Sequence, residues 1–309
     1  MDKFDLHILG CGSATPSLRH LPSCQVVNYR QRLMMVDCGE GAQLSMRRQH
    51  LKFSRLTDIF ISHLHGDHFL GLPGLLSTLA LQQEGGTVTV HIAEDGARLL
   101  RNIMNVLCRE TSFELKYNIF DPAVGGVLLD THALTVTAFP LYHRVPCCGF
   151  RFDEKPKLRH IKGDMVKFHN VPVYRLADIK AGADFVAADG RIIPNSALTT
   201  PADPSVSYAY CSDTAFDERI VPSVRGVDVL YCEATYGDDQ AHKAAPRGHS
   251  TARQAAELAL KAGARRLIIG HFSKSYNDEA PLVEQARRIF PHTVAATEGM
   301  VVNLNNPDL

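Results

Sequence analysis

The sequence predicts a layered α/β protein with metal-ligating side chains at the ends of its strands. Three observations carry this prediction. Apolar, β-branched runs of strand length alternate with segments of helical periodicity along most of the chain. Hydrophobic residues make up 45% of the 309, ample for a sizeable core. His63, His143, Asp213, Glu233 and His271 each follow the apolar end of a predicted strand. Sites in layered α/β sheets collect beyond the carboxyl ends of strands, whereas chance would scatter such residues over both ends.

In chain order, Phe4 to Leu9 predicts a strand ending in Gly10-Cys11-Gly12-Ser13. Gln25 to Arg30 and Leu33 to Val36 predict a hairpin, followed by Asp37-Cys38-Gly39-Glu40-Gly41 and a helix to about His50. Thr57 to Ile61 is a buried strand, and Leu70 to Leu81 a helix with Pro73 in its first turn. Thr87 to Ile92 is a strand, Asp95 to Cys108 a helix, and Phe113 to Ile119 and Leu134 to Phe139 are strands. Beyond residue 200, Tyr208 to Cys211, Val227 to Cys232 and Arg265 to Gly270 are strands. Thr251 and Gln254 fit a capping box for a helix that Gly263 closes. A helix from Pro281 to Ile289 and one strand from Thr293 to Leu304 complete the core.

The chemistry concentrates in Ser62-His63-Leu64-His65-Gly66-Asp67-His68, directly after a strand. Neutral imidazole and carboxylate suit zinc and neighbouring divalent metals. In an extended loop His63 and His65 point to one side and can chelate one ion. Gly66 permits a tight turn, so Asp67 and His68 can face a second ion beside the first. A metal-free, His-rich surface turn is the bland alternative. A two-metal site needs more ligands than this loop provides, which gives weight to His143. Asp37, at another strand end, is expected to orient a metal-bound histidine from behind; direct ligation and a solvated turn are the alternatives.

Lys plus Arg and Asp plus Glu are 33 each, so no global positive field argues for nucleic acid. The eight cysteines contain no C-x-x-C pair and read as reduced, mostly buried thiols. The charged N-terminus, Met1-Asp2-Lys3-Phe4-Asp5, lacks the apolar run of a signal peptide. No segment approaches the roughly 18 apolar residues that span a bilayer. A cytoplasmic enzyme without a membrane anchor or organic cofactor is the expectation.

Residues 153–200 differ from the rest: prolines punctuate them and periodicity is poor. From Lys155 to Lys180, seven basic residues (Lys155, Lys157, Arg159, Lys162, Lys167, Arg175, Lys180) outnumber two acidic ones (Asp164, Asp178). This stretch is either a solvated insertion or a protruding arm that holds a phosphate backbone. Asp189-Gly190 marks a tight turn between two short strands.

The series His63-x-His65-x-Asp67-His68, His143, Asp213, His271 resembles the metallo-β-lactamase superfamily. Asp37-Cys38-Gly39-Glu40-Gly41, Gly71-Leu72-Pro73-Gly74-Leu75, Ser212-Asp213-Thr214, Glu233-Ala234-Thr235 and Gly248-His249-Ser250-Thr251 narrow the resemblance to the ribonuclease Z family, short form. The resemblance implies a single αββα domain, with two central mixed sheets flanked by helices and residues 153–200 as an inserted tRNA-binding arm. It implies a zinc-dependent endoribonuclease that removes 3′ trailers from tRNA precursors. One zinc would be held by His63, His65 and His143, and the other by Asp67, His68 and His271, with Asp213 bridging; Mn2+ or another divalent metal is an alternative. Asp67 would accept the proton of the attacking water, and His249, held by Glu233, would protonate the leaving 3′ oxygen. The family is a homodimer in which one subunit's arm clamps precursor tRNA at the other's site.

Three stretches depart from the family pattern. Cys232 stands where histidine is usual, Asn170-Val171-Pro172-Val173 is a short arm tip without glycine, and Pro16-Ser17-Leu18-Arg19-His20 keeps only part of a basic loop. Two other readings compete: a hydrolase of a small ester or phosphodiester on the same fold, and a non-enzymatic RNA-binding protein with structural metals. A redox di-iron site is disfavoured by His65, where that branch usually has glutamate.

Overall fold

The structure, a computed structural model, describes residues 3–82, 86–108 and 110–306; Met1 and Asp2 of the charged N-terminal stretch lie outside them. The first half contains β1 (Phe4–Gly10), β2 (Cys24–Tyr29), β3 (Arg32–Val36), α1 (Ala42–Arg48), β4 (Leu56–Phe60), α2 (Gly66–Phe69), α3 (Gly71–Leu81), β5 (Thr87–Ile92), α4 (Glu94–Leu107), β6 (Glu114–Ile119), β7 (Gly126–Asp130), β8 (Leu134–Leu141) and β9 (Cys147–Glu154). Then come the short pieces β10 (His160–Ile161), α5 (Gly163–Phe168), α6 (Leu176–Lys180), β11 (Phe185–Val186), β12 (Ile192–Ile193), α7 (Asn195–Leu198) and β13 (Thr199–Thr200). The chain ends with β14 (Ser207–Cys211), β15 (Val229–Glu233), α8 (Ala241–Arg247), α9 (Ala252–Ala262), β16 (Arg266–Gly270), α10 (Ala280–Arg287), β17 (Thr293–Ala295) and β18 (Val301–Asn303).

Two seven-stranded sheets form the centre, in the orders β18-β1-β2-β3-β4-β5-β6 and β17-β16-β15-β14-β9-β8-β7. Both are mixed: β3 through β6 run parallel beside an antiparallel β18-β1-β2-β3 group, and β14 through β17 run parallel while β9 opposes β14. Strand alternation assigns the two faces of the first sheet. Leu33, Met35, Ile59, Val88, Val90 and Ile92 pack with Met46, Leu72, Leu76, Leu100 and Met104 of α1, α3 and α4. The opposite face meets the second sheet, where Phe60 lies against Phe150 and Phe152 with ring centroids 5.5 and 5.7 Å apart. Polar contacts cross the same interface: Tyr210 donates to Asp37 over 2.8 Å, and the Ser62 and Ser212 hydroxyls meet at 2.9 Å.

Thr131–Leu134 and Glu154–Ser205 form a compact unit of their own, separate from the larger one that holds both sheets. Its small core gathers Val171, Ile179, Phe185, Ile193 and Leu198, although the sequence there lacks clear periodicity. Gly190, at a φ of 83°, turns the chain between β11 and β12.

One sequence expectation needs correction. Thr293 to Leu304 is not one strand: β17 pairs with β16 and β18 with β1, so the segment crosses between sheets through a turn at Gly299, φ 90°. The tight turn expected at Gly66 is the one-turn helix α2, which Gly66 opens. The strands β7 and β9 and the helix α8 carried too little periodicity to be predicted. In β9, Gly149 interrupts the side-chain pattern because a Cβ there would sit 2.4 Å from the Phe139 ring.

Candidate metal centre

Strand ends deliver the site. β4 leads to His63 and His65, α2 carries Asp67 and His68, β8 precedes His143, β14 precedes Asp213, and β16 precedes His271. Asp37 and His271 hold φ values of 55° and 59°, a left-handed backbone that non-glycine residues adopt at a cost. The loop after β3 docks on the α2–α3 junction by backbone contact: Cys38 N donates to His68 O at 2.8 Å, and Gly71 N to Cys38 O at 2.9 Å. Glycine is required there, since a Cβ on Gly71 would sit 2.0 Å from Gly39 O.

Two donor clusters share one carboxylate. In the first, the ligand atoms of His63, His65, His143 and Asp213 lie within 4.8 Å of one another. His65 Nδ1 is 3.0 Å from His63 Nε2 and 3.2 Å from His143 Nε2, and Asp213 Oδ2 is 3.7 and 3.9 Å from the same two nitrogens. The second joins Asp67, His68, Asp213 and His271. There Asp213 Oδ1 lies 3.3 Å from His68 Nε2 and 3.0 Å from His271 Nε2, and Asp67 Oδ2 lies 3.5 and 3.4 Å from them. Each oxygen of Asp213 thus faces one cluster.

Buried carboxylates hold the imidazoles from behind. Asp37, fully buried, accepts from His68 Nδ1 at 2.7 Å, from Ser62 N and Oγ at 2.8 and 2.9 Å, and from Tyr210. Ser62 Oγ in turn lies 3.0 Å from His63 Nδ1. Glu233, also fully buried, accepts from Thr235 Oγ1 at 2.7 Å, and that hydroxyl accepts from His271 Nδ1 at 2.8 Å. His143 Nδ1 donates to the Gly248 carbonyl at 2.7 Å. These partners place protons on Nδ1 and leave Nε2 lone pairs facing the clusters, an assignment made from the hydrogen-bond network.

The charge pattern suits cations. Burial pushes His63 well below its usual range and lowers His65 and His143, so these rings are neutral, the form able to ligate a metal. Burial opposes ionisation of Asp67 and Asp213 too, but His271 and His68 override it and hold both carboxyls well below the usual range. Burial would lower His68, but Asp213 and Asp37 raise it well above its usual range, so without an ion that ring carries a proton where a metal would sit. His68 Nε2 and Asp213 Oδ1 are buried and make no hydrogen bond. Orphaned buried atoms of this kind are costly unless they point at an ion. The donor set therefore fits divalent metal.

His249 stands beside the clusters, 3.9 Å from Asp213 Oδ2. Its Nδ1 is 2.9 Å from Glu233 Oε1, which also accepts from Thr214 N and Ser250 N. Burial would lower the His249 pKa; the Glu233 carboxylate and Asp213 overcome it and raise it to about 9. Sequence reasoning missed Ala14, whose N–H donates to Asp67 Oδ2 at 2.7 Å, and the relay hydroxyls of Ser62 and Thr235. Ala14 gave no signal, being a backbone donor; Thr235 sat in a quoted motif whose carboxylate drew the attention.

In the smaller unit the seven basic residues are dispersed. Lys157 pairs with Glu154 at 2.7 Å, Arg159 donates to Thr199, Lys162 to the Ser196 carbonyl, and Arg175 lies 3.4 Å from Asp178. Lys167 and Lys180 are exposed and Lys155 is partly so. Phe168, Val173 and Tyr174 are exposed as well.

Two facing mixed sheets, with paired His/Asp clusters at their strand ends, define a metallo-β-lactamase-fold protein. A beta-lactamase superfamily domain matches residues 194–272, and the family model described as Anti-Pycsar protein Apyc1 matches residues 4–154. The structure is similar to human tRNase Z, short form, with a TM-score of 0.71 and 27% identity over 97% of this chain and 99% of that one. It shares the fold of the metallo-beta-lactamase fold protein YhfI from Bacillus subtilis, with a TM-score of 0.69 and 18% identity over 97% and 99%. Ribonuclease Z of Parabacteroides distasonis is 49% identical over 97% of this chain and 99% of its own, and that of Bacteroides fragilis 48% over 98% and 100%. The chain belongs to the ribonuclease Z family.

Proposed function

We propose that this protein is an endoribonuclease that removes the 3′ trailer from tRNA precursors, with two divalent metal ions, zinc in the first instance, per subunit. The observation that carries the reading is the Glu233–His249 pair set 3.9 Å from the aspartate shared by both donor clusters. His63, His65 and His143 would hold one ion, Asp67, His68 and His271 the other, and Asp213 would bridge them. When bound, such a pair supplies Lewis-acid stabilisation of phosphoryl charge and lowers the pKa of water.

The chain's own residues then manage two protons. Water oxygen bonds to the scissile phosphorus as the bond to the 3′ oxygen breaks. Asp67, kept ionised and held at Oδ2 by the Ala14 N–H, accepts the proton of the attacking water. His249, kept protonated by Glu233, donates a proton to the departing 3′ oxygen. The products are a tRNA with a 3′ hydroxyl and a trailer with a 5′ phosphate.

The basic residues of the smaller unit, from Lys155 to Lys180, act as the tRNA-binding arm, and the working form is a cytoplasmic homodimer in which arm and site belong to different subunits. Charge and the exposed Lys167, Lys180, Phe168 and Tyr174 support the arm reading. Among the described residues, no helix is long and apolar enough to cross a membrane. Incubating the protein with a trailer-bearing tRNA tests the proposal. A metal-dependent cut after the discriminator base is expected; an intact precursor with zinc present would sink it.

A further inference from the structure

A cavity of about 440 Å³ opens beside His249, lined by Arg144, Arg247 and Lys274 together with the hydroxyls of Ser13, Thr15 and Ser273. Among the described residues, no aspartate or glutamate lines it. Elsewhere on the larger unit, arginines and lysines are commonly spent on carboxylates: Arg19 on Glu279, Arg32 on Asp58, Arg151 on Asp153, Arg219 on Asp217, Arg253 on Asp238. Among the described residues Arg144, Arg247 and Lys274 have no carboxylate partner, and all three are exposed. Arg247 is instead steered by the Tyr236 hydroxyl, which its Nη1 reaches at 2.9 Å. Three cations without a carboxylate partner thus line one hollow, in a chain of zero net charge.

We propose that this cavity is the subsite for the last nucleotide retained on the tRNA, with Arg247, Lys274 and Arg144 gripping the phosphate on its 5′ side. The assignment rests on the hydrolytic reading above, through polarity. His249 gives its proton to the 3′ oxygen of the retained nucleotide, so that nucleotide lies against His249. His249 is itself part of the cavity wall. The ribose then spans from the reacting phosphorus to the cavity, and the next phosphate toward the 5′ end reaches the cations. The trailer leaves on the opposite side, away from the cations. Arg144, Arg247 and Lys274 are positioning residues: they fix which strand direction presents its 3′ oxygen to His249.

The test is a cross of RNA and protein changes. A trailer-bearing precursor is made with a neutral methylphosphonate at the linkage immediately 5′ of the last retained nucleotide, or at the second linkage of the trailer. With the wild-type protein the first modification is expected to lower kcat/KM roughly tenfold, the scale of one lost charge-assisted contact. In the double variant Arg247→Ala/Lys274→Ala the same modification changes little further, because the cations that read the charge are gone. The Arg247→Lys variant restores part of the discrimination. The trailer modification affects wild type and variant alike. Fully additive losses, or a wild-type enzyme indifferent to the neutral linkage, would overturn the proposal. A wild-type protein that leaves the unmodified precursor intact fails the hydrolytic reading instead. The cavity is then judged by calorimetric titration with adenosine 5′-monophosphate. Weakening of at least tenfold in the double variant, with Lys261→Ala unchanged, upholds the anion site, and equal binding by all three proteins overturns it.

Discussion

Asp37→Asn isolates the support of one metal-ligating ring. Asparagine matches aspartate in shape and tolerates the left-handed backbone at φ 55°, so the main chain is not disturbed. The wild-type carboxylate takes four hydrogen bonds, from Ser62 N, Ser62 Oγ, Tyr210 and His68 Nδ1, at 2.7 to 2.9 Å. In the variant Oδ1 can keep Ser62 N, but the amide nitrogen then faces the other three donors. The two hydroxyls can rotate. His68 can keep a bond to the amide only by accepting at Nδ1, which moves its proton to Nε2, the atom that faces Asp213 and the second cluster. A protonated Nε2 cannot ligate. Changes of this kind cost about 10–100-fold in metal affinity, or roughly 1.4–2.8 kcal/mol. The assay is zinc competition against a chromophoric chelator, with precursor cleavage measured at saturating metal. Zinc affinity within twofold of wild type, with kcat/KM unchanged, would refute the claim that Asp37 sets the His68 tautomer.

Gly248→Ala should disturb His143 without replacing a ligand, because the new Cβ would sit 2.7 Å from His143 Nδ1 and the backbone φ is 71°; a tenfold or greater loss of metal affinity is expected on the same scale of outer-contact changes, and an unchanged zinc titration would contradict it. In metal-stripped protein the His249–Glu233 pair stabilises the fold through a raised histidine pKa. That contribution is complete below the ordinary value of 6.5 and is lost as pH rises through about 9. NMR titration of the His249 ring should find its midpoint in that upper range in wild type and markedly lower in Glu233→Gln; coincident midpoints would remove the ion pair from the mechanism. Asp67→Ala should abolish turnover while leaving tRNA binding within a fewfold, and residual cleavage above about one part in a thousand would argue for another proton acceptor. Removing residues 160–180 should weaken precursor binding and reduce its salt dependence, yet spare hydrolysis of bis(p-nitrophenyl) phosphate; parallel loss of both activities would contradict the arm.

The metal loop was legible because ligand types cluster after a strand, and the helix from Ala252 was legible because Thr251 and Gln254 form the capping box between them. The final strand was misjudged because apolar residues lie on both sides of Thr297-Glu298-Gly299, where the chain turns into the other sheet. β9 was missed because it is buried on both faces near its start, which erases the period-two signal.

Residue type and order determined which atoms are able to bind metal and that they follow strand ends, since ligand chemistry and hydrophobic periodicity are properties of the chain itself. Tertiary structure decided what no local pattern encodes. It set His143, Asp213 and His271 against the loop at 63–68, placed Asp37 and Glu233 behind the imidazoles, and left Arg144, Arg247 and Lys274 unpaired around one cavity. The reason is distance along the chain. Contacts between residues 31 to 204 positions apart exist only in the folded chain: Asp37 meets His68 once β3 and β4 pair in one sheet, and Asp67 meets His271 once the two sheets close on each other.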